Sequence, residues 1–131
     1  MEKFAVSSSQ QTQIIDITGQ LQSIVGLSNI QEGICNVFVP HTTAGITINE
    51  NADPDVKADM LMEINKIIPF RDNYRHMEGN SAAHIKASLF GNSQVILIQN
   101  GRIQLGTWQG VFFCEFDGPR SRKVWVNLTK S

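Results

Sequence analysis

Three histidines, His41, His76 and His84, hold the clearest chemical potential of this 131-residue chain. None lies inside a regular apolar run, and each has small residues and hydroxyls or carboxylates within a few positions. Three neutral imidazoles suit an open tetrahedral zinc site that leaves one position for water. Their separations, 35 residues (41 to 76) and 8 residues (76 to 84), match no metal motif recognisable by spacing alone. A solvated polar role for each histidine therefore stays open beside the shared site.

The carboxylates sort into three groups. Glu50 and Asp53 flank a strand-to-helix turn, and Asp53 is also a good N-cap. Glu78 follows His76 by two residues in a glycine-containing loop. Glu115 and Asp117 alternate through an apolar strand, so they share a face and need partners. Arg120 and Arg122 are near in sequence, which leaves a structural ion pair and a site carboxylate both open. Anion contacts are expected from Thr42, Thr43, the helix start at Asn80 and Ser81, and Arg120 in the run Gly118-Pro119-Arg120-Ser121-Arg122-Lys123. No Walker motif, dinucleotide glycine fingerprint or G-x-S-x-G elbow is present. Cys114 has no activating neighbour in sequence, which argues against a cysteine nucleophile.

The elements that must position these residues are mostly strands. Alternation or apolar runs predict strands at Lys3–Ser9, Thr12–Thr18, Ile34–Val39, Gly45–Asn49, Gln94–Gln99, Val111–Phe116 and Lys123–Leu128. A short helix is expected over Gly19–Leu27, with Leu21, Ile24 and Val25 on one side. A second helix starts at the N-cap Asp53 with Pro54 at its first position and ends at Pro69. A third runs Ser81–Phe90, with Asn80 as N-cap and Gly91 just past its end. At 100° per residue its apolar side is Ala82, Ala83, Ile85, Leu89 and Phe90, and His84 falls opposite, with Ala87 and Ser88. The sum is an α+β fold in which residues 1–131 form a single domain. A mostly antiparallel β-sheet carries helices packed on one side.

Composition narrows the function classes. Hydrophobic residues make up 41% of the chain and charged residues 18%, which is globular and not disordered. A net charge of −1 argues against a nucleic-acid partner. Apolar runs such as Val95-Ile96-Leu97-Ile98 are far shorter than the ~20 residues that span a bilayer, and no signal-peptide pattern opens the chain. Cys35 and Cys114 lie in apolar strand-like runs and read as reduced, buried side chains, which points to a cytoplasmic protein.

Three stretches then carry a family likeness. They are His41-Thr42-Thr43-Ala44-Gly45 leading to Asn49-Glu50-Asn51-Ala52-Asp53-Pro54-Asp55, His76 to His84, and Ser93 to Arg120 with Gly101 and Gly106-Thr107-Trp108-Gln109. In these the chain resembles the YjbQ family, labelled secondary thiamine-phosphate synthase enzymes. The resemblance implies a YjbQ-like α+β fold, a homotrimer, and a cleft where the three histidines gather around a metal or anion. It also implies a synthase that joins an aminopyrimidine-methyl pyrophosphate to a thiazole phosphate and releases pyrophosphate. Its ligand would be a small phosphorylated heterocycle.

Pyrophosphate departure needs positive charge, from a divalent metal or from arginines. On this reading His41, His76 and His84 hold the ion, Glu50, Asp53 or Glu78 assists, and Arg120 meets a phosphate. The catalytic set is His41, His76, His84, Glu50 and Glu78. The ligand-binding set is Thr42, Thr43, Asn80, Ser81 and Arg120. Magnesium would serve the pyrophosphate reaction, but three imidazoles favour zinc, and zinc suits hydrolysis of a phosphate or amide better. Three functions therefore compete: the synthase, a metal-dependent hydrolase, and a non-catalytic module for a small anion or metal.

Overall fold

The computed structural model describes residues 1–131. In chain order the elements are β1 (Glu2–Ser7), β2 (Gln13–Asp16), α1 (Thr18–Ser28), β3 (Glu32–Phe38), β4 (Ala44–Glu50), α2 (Pro54–Ile67), α3 (Ser81–Phe90), β5 (Ser93–Gln99), β6 (Arg102–Ile103), β7 (Gln109–Glu115) and β8 (Ser121–Lys130). The expected α+β fold of antiparallel strands with three helices is what forms. The strands divide between two sheets, one ordered β1-β8-β3-β5-β6 and the other β2-β7-β4. Every pairing is antiparallel.

Alternation explains the larger sheet. Gly33, Cys35 and Val37 of β3 are buried while Glu32 and Phe38 face outward. Ile96 and Ile98 of β5 and Val124 and Val126 of β8 fill the same inner face. The smaller sheet answers with Ala44 and Ile46 of β4 and Val111 and Phe113 of β7, and α1 adds Leu21 and Val25. These side chains make one core between the sheets. The unbroken apolar run at Val111–Cys114 has a second cause. The other face of β7 is covered as well: Cys114 and the following Phe116 pack against Ala83 and Ala87 of α3. A strand buried on both faces has no reason to alternate.

The local signals set α2 as expected. The Asp53 carboxylate accepts the Asp55 N–H at 2.9 Å, and Pro54 occupies the first turn. Helix α3 has the expected bounds but packs on a different face. Its buried residues are Ala82, Ala83, Lys86 and Ala87, whereas Ile85 and Leu89 are 40% and 65% exposed. The cause is proximity. A Cβ on Gly45 of β4 would lie 2.8 Å from the Gly91 carbonyl oxygen and 3.2 Å from Phe90 Cβ. The Ile46 N–H also donates to that Gly91 carbonyl at 3.0 Å. The inward face of α3 therefore carries alanines, with Lys86 reaching aside to α2, and Ile85 and Leu89 turn outward. Asn80 takes the N-cap position as expected, but its side chain makes no capping hydrogen bond.

Candidate functional site

A buried ion pair underlies the site. Arg122 and Glu115 are 3% and 0% exposed. The Arg122 Nε donates to the two Glu115 oxygens at 2.9 and 3.1 Å, and its Nη2 donates to Glu115 Oε2 as well. The same Nη2 reaches Thr43 Oγ1 at 2.8 Å and the Thr43 carbonyl at 3.3 Å. Ser8 Oγ and the Asp117 N–H complete the Glu115 carboxylate at 2.7 and 3.1 Å. Burial by itself would raise the Glu115 carboxyl, but the bonds from Arg122, Ser8 and Asp117 outweigh it and hold the group below its ordinary range. The open question about the alternating carboxylates is therefore resolved in two directions. Glu115 is structural, and Asp117, beyond the strand end, faces the cleft.

One residue further along β8, the Lys123 N–H donates to His41 Nε2 at 2.8 Å. That bond needs a bare Nε2, so the ring is neutral and carries its proton on Nδ1. Burial, with the Arg122 and Arg120 cations nearby, pushes the His41 pKa below its ordinary value. His41 is therefore expected to titrate with a midpoint below 6.5 and to show the Nδ1–H tautomer at pH 7. Nitrogen-detected NMR checks this; a ring charged at pH 7 would mean that the Lys123 contact does not form.

His76 and His84 meet edge to face, with ring centroids 5.6 Å apart and planes at 89°. His84 comes from the first turn of α3, and His76 from the connection between α2 and α3. Glu78 makes only a loose contact, 3.9 Å from His76 Nε2, and both groups are exposed. Across the cleft Asn80 Nδ2 donates to Asp117 Oδ2 at 2.9 Å, and Arg120 Nη2 to the same oxygen at 3.1 Å. A second Arg120 bond, Nε to the Asp117 carbonyl at 2.9 Å, fixes the turn. Asn80 Oδ1 is buried without a partner. The anchor at Asp117 fixes which end of the amide is the acceptor, because turning it over would set two oxygens against each other.

These groups line a polar cleft with no apolar side chain: Thr42, Thr43, His76, Glu78, Asn80, His84, Asp117 and Arg120. A second lobe, which shares Thr42 and His84 with the first, is lined by His41, Ala87, Ser88 and Asn92 among others. Ser81 lies in a shallower hollow with Tyr74, Arg75, His76, His84 and Ile85. The three histidines thus border one continuous depression, with His84 in the middle. Glu50 is not brought in. It pairs with Gln109 at the far end of β4, six residues from Ala44 or ~20 Å along a strand.

The three histidines do not close into one ligand set in this structure. No group of three His, Cys, Asp or Glu side chains is placed to hold an ion. His41 has given its Nε2 to Lys123, and His76 meets His84 through ring contact. As placed, His41 could join a three-histidine zinc site only by giving up its bond from the Lys123 N–H. Sequence reasoning also missed the Asn80–Asp117 contact and the lobe residues Ser88 and Asn92. Only the small residues around them hinted at close packing.

Comparison with known proteins agrees with this geometry over the whole chain. The family model described as UPF0047 protein YjbQ-like matches residues 2–131. The chain is 50% identical to UPF0047 protein MJ1081 of Methanocaldococcus jannaschii, over 96% of this chain and 91% of that one. It is 46% identical to UPF0047 protein YugU of Bacillus subtilis, over 98% of both. A crystal structure of an uncharacterised conserved protein of the YjbQ/UPF0047 family from Clostridium acetobutylicum superposes with a TM-score of 0.97 at 53% identity, covering 98% of this chain and 100% of that one. A protein of unknown function from Sulfolobus solfataricus gives a TM-score of 0.95 at 34% identity, covering 99% and 96%. These descriptions overturn the thiamine-phosphate synthase expectation: they give a family of unknown function and no such activity.

Proposed function

The chain belongs to the UPF0047 YjbQ-like family, and on that premise we propose that its cleft binds a small phosphorylated ligand and moves protons on it through His76 and His84. One observation carries the reading. The Arg120 guanidinium, two imidazoles and the Thr42 hydroxyl converge on a cleft without an apolar wall, beside the Asp117 and Glu78 carboxylates. Phosphate oxygens need such a set of converging donors, and a guanidinium matches their geometry. Asn80, at the N-cap position of α3, lines the same cleft, and no side chain caps that helix start. Imidazole is the side chain that gains and loses a proton near neutral pH. Thr43 and His41 support the cleft from below, held by Arg122 and by the Lys123 N–H. The hollow beside the histidine pair, bordered by Tyr74 and Ile85, offers a surface for a heterocycle attached to the phosphate.

Inorganic phosphate and pyrophosphate are the probes. Calorimetry with either should give saturable binding of millimolar affinity or tighter, and the ring signals of His76 and His84 should shift as the cleft fills. Binding that does not saturate, or shifts confined to other residues, overturns the reading.

Two further expectations follow the same premise. Both cysteines are free and buried, which supports a reducing, cytoplasmic location. Self-association is supported by the apolar side chains Phe38, Val95 and Leu97, exposed on the outer face of the larger sheet, and the number three comes from the family resemblance alone. Light scattering that reads a monomer at micromolar concentration overturns the trimer. No helix is long and apolar enough to cross a membrane.

A further inference from the structure

We propose that Lys86 is a positioning residue for the cleft: its buried ammonium pins the segment that carries His76 onto α3, the helix that carries His84. The inference rests on the reading that these two histidines act together.

Lys86 is 0% exposed, a long charged side chain enclosed as fully as the core phenylalanines Phe113 and Phe116. It lies two residues after His84, on the inward face of α3. Its Nζ donates to Asn65 Oδ1 of α2 at 2.7 Å and sits 3.5 Å from the centroid of the Phe70 ring. Asn65 is itself held, because its amide donates to Thr12 Oγ1 at 3.1 Å just before β2. The ammonium therefore joins α3 to α2 and to the connection that follows α2. Phe70 opens the part of that connection leading to His76. There the Tyr74 hydroxyl donates to the Pro69 carbonyl at 2.6 Å, which folds residues 69–74 into a closed loop. The anchor at Phe70 is thus carried to Tyr74, two residues before His76.

The cost of this arrangement argues that it has a use. The partners of Lys86 are an amide oxygen and an aromatic face, with no carboxylate among them. Burial pushes its pKa down to about 8. A methionine would fill the same space without a buried charge to desolvate. What the methionine lacks is the directed grip on Asn65 and on the Phe70 ring, a cation–π contact that strengthens when water is excluded. The connection needs such a grip because few of its side chains are buried: Arg71 to Gly79 is exposed apart from Tyr74.

The test is Lys86→Met in the full chain, read by amide hydrogen exchange and by NMR of the histidine rings. Exchange across residues 70–79 should rise at least about tenfold, protection in β3, β5 and β8 should stay as in the wild type, and the ring-to-ring contact of His76 and His84 should vanish from the spectrum. Unchanged exchange in 70–79 overturns the proposal. So does a rise spread equally over the larger sheet, because Lys86 would then merely stabilise the fold. If Lys86→Met does not fold, Phe70→Leu removes the ring and keeps the apolar bulk. It should give the same local pattern, and wild-type exchange in that variant overturns the proposal. Phosphate titration of the wild type separates the two readings: failure to bind phosphate removes the proposed function, while the exchange pattern still decides the role of Lys86.

Discussion

Replacing Glu115 by alanine is expected to lower the stability of the domain by about 3–5 kcal/mol, the usual cost of stranding one partner of a buried ion pair. Arg122 would keep its charge at 3% exposure with only Thr43 to receive its hydrogen bonds. Ser8 Oγ and the Asp117 N–H would lose their acceptor too. A domain of this size is stable by about 5–15 kcal/mol in total, so the loss is a large share. Urea unfolding at pH 7 measures it, and a loss under about 1 kcal/mol would show that the pair is not buried as described. The same carboxylate fixes a pH dependence. Its folded pKa is lower than the unfolded value of 4.5. Between the two, the unfolded chain binds more protons than the folded one, so stability rises with pH there. The contribution is present above about pH 4.5 and is lost as the pH falls through the folded pKa. Glu115→Gln should therefore flatten the acid side of the stability profile, besides lowering it at neutral pH.

What could be read from the sequence was what local chemistry decides. Asp53-Pro54 started α2 and Gly91 ended α3, because a cap and a positive-φ turn are written in neighbouring residues. Apolar runs located β3 and β5, but not the inward face of β5, because Val95-Ile96-Leu97-Ile98 does not alternate in type. The helical wheel of α3 failed where tertiary contact overrode it. A wheel assumes that the largest apolar side chains go inward, but the close approach at Gly45 favours alanines there, and Ile85 and Leu89 went outward. The division into two sheets lay beyond local reading as well, since the pairings join distant segments such as β3 with β8.

The site shows the same boundary. The histidines stood out by type and by their small polar neighbours, and all three border the depression. Their coordination chemistry was not legible. What decides it for His41 is a backbone N–H at Lys123, 82 residues away, and a backbone donor leaves no mark in side-chain patterns. The alternation of Glu115 and Asp117 correctly signalled a need for partners but assigned both to one environment. The strand ends between them, so Glu115 turns into the core toward Arg122 while Asp117 meets Asn80 and Arg120 at the cleft. Glu50 belonged to the same motif-rich stretch as His41, yet an extended strand carried it to the opposite end of the sheet.

Arg120→Ala should weaken phosphate binding by roughly 10- to 150-fold, since a hydrogen bond to a charged group is worth about 1.5–3 kcal/mol. Its stability cost should stay small. The Arg120 side chain is 49% exposed, and its ion pair with Asp117 is of the surface kind, worth at most about 1 kcal/mol. Added salt should weaken wild-type binding too, because the attraction acts in a cleft open to screening ions. His84→Ala tests the other wall. The ring borders both lobes, so its loss should reduce affinity about tenfold and remove the His76 contact. The fold should hardly notice: the ring is only partly buried, and alanine is the better helix former by a fraction of ~0.7 kcal/mol. Calorimetry and urea unfolding on the same preparations separate affinity from stability. Affinities within twofold of the wild type in both variants would remove the phosphate site. A large stability loss in either would make that residue part of the scaffold. Weakened binding in a domain that unfolds at its usual urea concentration is the result the cleft requires.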